Sequence, residues 1–220
     1  TGSGADRIQL TDAQLTGHLD VNAGGGVDIL EVTTDASVVD SDFGQVVGLE
    51  VLALTADAGD DAQSVVIGAA AESAGLTTID AGQAGADDAI TVDAHAFTHA
   101  LTVETGAGDD VVTLGDGGSV VFAGNGDNTV TVGALGGAAH DEITTGTGAD
   151  RVRVTNDQMN SHLVVDSGGG NDAVEVTDDA ALVDADFTAF THMEALELTG
   201  DAADNAQSVV LGALAVAAGL

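Results

Sequence analysis

The residues with most chemical potential in this 220-residue chain are acidic side chains set in glycine-rich turns. Thr105 to Val112 reads Thr-Gly-Ala-Gly-Asp-Asp-Val-Val, and nine-residue blocks of the form G-G-x-G-x-D-x-U-x, with U a large aliphatic, begin at Thr105, Leu114 and Ala123. After the insert Val132 to Leu135 they resume at Gly136 and Thr145, so the tandem core covers residues 105–153. Glycines at the second and fourth positions, such as Gly106 and Gly108, let the backbone take positive φ and turn its carbonyls inward. The sixth-position carboxylate, Asp110 here, then points into that ring of oxygens. Calcium takes six to eight oxygen ligands in flexible geometry, so it suits such a ring better than magnesium, which wants a strict octahedron.

The same register extends outward. Its sixth-position residues are Asp6, Asp28, Asp88, Asp110, Asn128, Asp141, Asp150 and Asp172. The turn glycines are Gly2 and Gly4, Gly24 and Gly26, Gly106 and Gly108, Gly124 and Gly126, Gly146 and Gly148, and Gly168 and Gly170. Together they are the candidate ligands for several calcium ions. Asp88, Asp110, Asn128, Asp150 and Asp172 follow one another at nearly even intervals, the step from Asp110 to Asn128 being slightly shorter than the rest. Each interval is the length of two short strands with two turns, which predicts one stack along one edge of a winding chain. Coils of such a fold lie roughly 4.8 Å apart. Carboxylates at about 5 Å repel by roughly 3 kcal/mol at an effective dielectric near 20. Cations between turns reverse that sign, so metal binding and folding are expected to be one event.

The nonapeptide resembles that of the repeats-in-toxin (RTX) family, a calcium-binding β-helix repeat. That resemblance implies an all-β fold, a parallel β-helix or β-roll solenoid with calcium-binding turns. It also implies type I secretion, with the chain unfolded at low cytosolic calcium and folded outside. The stretches Phe43 to Leu54 (FGQVVGLEVLAL) and Phe187 to Leu198 (FTAFTHMEALEL) further resemble segments of RTX-type surface-layer proteins of Gram-negative bacteria, in which the glycine-aspartate turn is followed by a phenylalanine and an E-x-L strand.

The elements that must position these turns are short strands. Alternation such as Val112, Thr113, Leu114 has the period of a half-buried strand, with Val112 facing the interior. We expect one continuous right-handed solenoid over residues 1–220, of roughly ten coils. Between the calcium-type turns, VVIGAAAESAGL and VVLGALAVAAGL are read as wide coils ending in strands, with a helix at 69–74 the less favoured option. A longer repeat overlies the short one. Residues 1–76 align with 145–220 without a gap at an offset of 144, with 42 of 76 positions identical, and residues around 87–114 match a later segment at an offset of 62. Neither end shows an evident cap, and the chain opens and closes within its own long period, as a window cut from a longer repetitive protein would.

Composition narrows the function classes. Acidic residues number 37 against three arginines (Arg7, Arg151, Arg153) and no lysine, a formal charge of −34, which argues against nucleic acid or anionic membrane as a partner. Hydrophobic residues make up 44% but aromatics only 2%, so the core must be thin aliphatic layers, with the five phenylalanines inside. No apolar segment reaches membrane-spanning length, so no membrane insertion is expected. The absence of cysteine leaves metal as the staple. The six histidines are too dispersed for a zinc site. Thr91, Thr113 and Thr131 would form an outward column like that of ice-binding solenoids, but Gln9, Glu31, Arg153 and Glu175 interrupt it. Catalysis is not expected: lysine, Trp and Tyr are missing, and G-x-S-x-G, H-E-x-x-H and P-loop motifs are absent.

The expected function is therefore structural: an extracellular, calcium-stabilised solenoid that assembles with itself into a bacterial surface layer, matrix filament or fibre. The alternative is a calcium-folding extender module of a secreted RTX adhesin, toxin or hydrolase. If the geometry of the sites matters, replacing Asp110 or Asp150 should weaken calcium binding more than replacing Asp61 or Asp179.

Overall fold

The computed structural model describes residues 2–15, 19–55, 62–85, 88–134, 139–200 and 207–220. Asp61, Asp87 and His18 lie outside them. Every strand pairing is parallel. A nine-stranded sheet runs, in spatial order, through Arg7–Leu10, Ile29–Val32, Val51–Thr55, Thr78–Gln83, Leu101–Glu104, Ser119–Gly124, Asp141–Thr145, Leu163–Asp166 and Phe190–Thr191. An eight-stranded sheet holds Ser37–Val39, Gln63–Val66, Ile90–Asp93, Val111–Thr113, Thr129–Thr131, Arg151–Val154, Ala173–Val176 and Ala195–Leu198. From Gln63 to Val176 the chain visits the two sheets alternately, which is the winding of a parallel β-solenoid.

Period-two alternation builds the interior. In the nine-stranded sheet Leu30, Leu52, Ile79, Val103, Val121, Ile143 and Val165 lie in register on successive coils. The other sheet stacks Val38, Val65, Val92, Val112, Val130, Val152 and Val174 in the same way. All of these are buried, so each coil contributes a thin aliphatic layer that is sealed only by its neighbours. Phe43, Phe97, Phe187 and Phe190 fill the wider coils. Phe122 does not, because its place in the alternation turns it outward, where it is exposed.

Coils differ in length, and the extra residues leave the sheets. In the nine-stranded sheet the register step from Leu101 to Ser119 is the shortest, and that from Val51 to Thr78 is half as long again. The long step contains helix α1, Ala69–Ala74, so the favoured reading of this stretch as coil and strand alone is corrected. The segment is rich in alanine, the best helix former. Its N-terminal amides are tied down by Asp40, which accepts the N–H groups of Gly68, Ala70 and Ala71 at 2.8, 3.1 and 3.0 Å. Gly75, at φ 104°, ends it. Helix α2, Ala213–Ala218, repeats the device, with Asp184 holding Gly212, Leu214 and Ala215.

Register corrects the threonine column as well. Thr113 pairs with Thr131, but Thr91 pairs with Val111, two positions away from the expected row.

Candidate metal sites in the turn columns

The glycine-aspartate turns that end in Asp110, Asn128, Asp150 and Asp172 lie where the chain leaves the nine-stranded sheet and enters the eight-stranded one, and the sixth-position side chain of each is buried. In the turn before Val111–Thr113, Gly106 and Gly108 have φ of 100° and 123°. The Thr105 hydroxyl donates to the Ala123 carbonyl at 3.0 Å, tying the start of this turn to the next coil. Asp110 is 1% exposed. One of its oxygens accepts the Ile90 N–H at 2.8 Å, and its own N–H donates to Asn128 Oδ1 at 3.1 Å. The ladder continues from the Asn128 N–H to Asp150 Oδ1 at 2.9 Å and from the Asp150 N–H to Asp172 Oδ1 at 2.8 Å. It ends on Glu194, which accepts the Asp172 N–H at 2.9 Å. Outside it, Asp109 and Asp127 reach the opposite way, accepting the N–H groups of Asp127 and Ala149 on the following coil.

The acidic residues do not form one stack. Asp6, Asp28 and Glu50 make a second ladder at the entry to the nine-stranded sheet, each N–H donating to the next carboxylate at 2.8 Å. Asp141 also leads into that sheet, across the coil from Asp150, and accepts the Ser119 N–H at 2.7 Å. Asp88 leaves the first column. By sequence count it should stand beside Asp110, but Thr91 pairs with Val111, which makes the structural step two positions shorter. Ile90 therefore lies beside Asp110, and Asp88 falls level with Gly108. There it accepts the Gly85 N–H at 2.8 Å and the Gln63 amide at 3.2 Å. Gln63 is a participant that the turn motif does not flag, because it sits on a strand rather than in a glycine turn. It is buried, and its Oε1 has no partner.

The second carboxylate oxygen of each of these aspartates is the decisive feature. Asp28, Asp88, Asp110, Asp141, Asp150 and Asp172 are all buried, and in each one oxygen has no hydrogen-bond partner. An unpaired buried acceptor is costly, and a buried charge more so. Burial pushes the Asp110 and Asp141 carboxyls up to about 6, and raises Asp172 as well. Asn128 differs from these aspartates. Its Oδ1 is taken by the Asp110 N–H, and its Nδ2 donates to the carbonyls of Gly124 and Gly126 at 3.2 and 3.1 Å.

The glycines are needed for close approach as much as for φ. A Cβ on Gly126 would stand 2.0 Å from the Gly108 carbonyl oxygen, and one on Gly170 would stand 1.5 Å from that of Gly148. Gly2 and Gly4, in the first turn, have open space instead. Among the described residues no three His, Cys, Asp or Glu side chains converge on one point. A single carboxylate oxygen per turn together with main-chain carbonyls is a donor set that suits a hard ion such as calcium. His95 and His192 are instead exposed partners of Asp93 and Asp166, at 2.6 and 2.7 Å. Comparison with protein-family models, curated proteins and solved structures gave no match.

Proposed function

We propose that this chain is a calcium-wound structural repeat of an extracellular assembly, of the RTX type, at the surface of a Gram-negative bacterium. The supporting observation is the set of buried carboxylates whose second oxygen has no partner. Calcium supplies the positive charge that these oxygens lack. The residues that would hold it are Asp28 with the turn glycines Gly24 and Gly26, Asp110 with Gly106 and Gly108, Asp150 with Gly146 and Gly148, and Asp172 with Gly168 and Gly170. Asp88 and Asp141 are further carboxylates of the set; Asp6, part-buried and accepting the Gly2 N–H at 3.4 Å, stands outside it. The protein's own part is to fix each carboxylate by a hydrogen bond to the neighbouring coil, so that one oxygen stays directed at the turn. With a formal charge of −34, the chain repels itself until cations enter. We assign it no reaction.

Self-association is part of this reading, and exposed apolar side chains support it. Arg7–Leu10 and Ala195–Leu198 are the outermost strands of their sheets, each with one paired neighbour among the described residues. Leu198, Val210, Leu211, Leu214 and Val216 are exposed. Exposed apolar side chains of this kind favour association, and a second copy of the chain is the partner proposed, giving a layer, filament or fibre.

A calcium titration followed by far-UV circular dichroism tests the folding claim: β-signal grows with calcium and is lost in EGTA, and an unchanged spectrum with no bound calcium overturns it. Asp150→Ala should weaken binding more than Asp179→Ala; equal effects would mean that bulk acidity, not site geometry, holds the ion. Electron microscopy with and without EGTA tests assembly, and a monomer in millimolar calcium defeats it.

A further inference from the structure

We propose that Asn128 closes its own turn without an ion, its amide standing where neighbouring turns take a cation, so that the column loads in two segments: Asp110 on one side, and Asp150 with Asp172 on the other. The inference rests on the calcium reading of those neighbours.

Asn128 is 1% exposed. Like each aspartate in the ladder, it uses Oδ1 to accept an N–H from the preceding coil, that of Asp110 at 3.1 Å. Its backbone N–H passes the ladder on to Asp150 at 2.9 Å. The difference lies in the other side-chain atom. In Asp110, Asp150 and Asp172 it is an oxygen without a partner. In Asn128 it is an NH2 group, and both of its hydrogens are used, one on the Gly124 carbonyl at 3.2 Å and one on the Gly126 carbonyl at 3.1 Å. These are the carbonyls of the turn's second and fourth positions, the ones that would face a cation. Both converge on a single nitrogen.

The orientation of the amide is dictated by its surroundings. Rotating it by half a turn would set NH2 against the Asp110 N–H, donor against donor, and oxygen against two carbonyls. A cation at this turn would have to displace two hydrogen bonds and would find no carboxylate to neutralise it. The turn also closes the tightest coil of its sheet, since the step from Val111 to its partner Thr129 is shorter than that from Thr129 to Arg151 on the next coil. Its glycines lie hard against the preceding turn, because a Cβ on Gly124 would stand 1.5 Å from the Gly106 carbonyl oxygen. The narrowest rung is thus satisfied by the chain alone, and the rungs on either side are not.

The test exchanges the two side chains. Bound calcium per chain is counted by equilibrium dialysis with elemental analysis, and thermal melting is followed in EGTA. Asn128→Asp should bind one ion more than the wild type and melt lower in EGTA by roughly 4 °C or more. Asp110→Asn should bind one ion fewer and melt higher in EGTA. If the wild type binds calcium and Asn128→Asp leaves the count unchanged, the inference is overturned. If the wild type binds none, the calcium reading falls, and the EGTA melts alone judge Asn128: a variant as stable as the wild type overturns its role. Should Asn128→Asp fail to fold even with calcium, Asp110→Asn carries the test, and an unchanged ion count in it sinks the proposal.

Discussion

Residues 2–76 and 146–220 are two copies of one sequence in two different settings. Much of their hydrogen bonding repeats, although Gly148 takes a positive φ of 147° and its counterpart Gly4 does not. Asp6 bonds to Asp28 and Asp28 to Glu50 as Asp150 bonds to Asp172 and Asp172 to Glu194, with distances of 2.8 to 2.9 Å. Helices α1 and α2 carry the same aspartate at the same distance in sequence. Yet Arg7–Leu10 lies in the nine-stranded sheet and Arg151–Val154 in the eight-stranded one. Between them the chain returns to the first sheet at Ile29, Val51, Thr78, Leu101, Ser119 and Asp141, and half a turn later reaches Arg151. Burial diverges with the setting: Ile67 is 1% exposed and its counterpart Leu211 is 55% exposed, because the coil through Ile90–Asp93 and Phe97 lies over the first. Sequence repeats conformation; neighbours decide what that conformation is worth.

The sharpest way to break the comparison is at the fourth-position glycines. Gly148→Ala should cost roughly 3 kcal/mol or more, since φ is 147° and a Cβ would meet the Gly126 carbonyl oxygen at 2.0 Å. Its counterpart Gly4→Ala meets nothing and should stay within about 0.5 kcal/mol. Urea unfolding in calcium measures both, and equal losses would show that the motif position, not its neighbour, sets the cost. Next come the apolar counterparts. Ile67→Ala should cost about 3 kcal/mol and Leu211→Ala less than about 0.5 kcal/mol in dilute monomer. If chains stack through that end, Leu211→Ala should instead raise the concentration needed for assembly.

A smaller effect follows from titration. In EGTA, burial holds the Asp110 and Asp141 carboxyls up at about 6, above their value in the unfolded chain. Between those values the folded state binds more protons at these two groups, so their contribution to stability is greatest in acid and is lost as pH rises through about 6, by roughly 3 kcal/mol per group at most, against the opposite slope of Glu31, Asp93, Asp166, Glu175 and Asp184, whose carboxyls are held low. Melting at pH 5 and pH 7.5 reads this, and Asp110→Asn should flatten the slope because Asn, like Asn128, does not titrate. Smallest is Arg153→Gln, which gives the second copy the residue of the first at Gln9. Arg153 Nε lies 3.0 Å from Glu175 on a partly exposed face, so the loss should be under about 1 kcal/mol and should shrink with added salt.

The sequence by itself determined the winding. Strand periodicity places Val112 or Ile143 inward through two-residue geometry, so the winding is legible residue by residue, whereas the turn glycines do not all bend alike: Gly106 and Gly108 take positive φ and Gly146 and Gly170 do not. Only the tertiary structure decided how the coils align. Register depends on how many residues each coil diverts into a helix or insert, and counting from Asp88 to Asp110 cannot show that two of the intervening positions belong to a displaced turn. For the same reason the acidic residues divide between two entries instead of forming one column, and the long repeat falls on opposite sheets. Phe122 faces out, and Gln63 joins the buried set, because strand phase set them there. Asn128 shows the limit most plainly: it is one atom from aspartate in sequence, but whether that atom meets an unpaired carbonyl or a cation is a matter of what the fold brings into hydrogen-bonding reach of it.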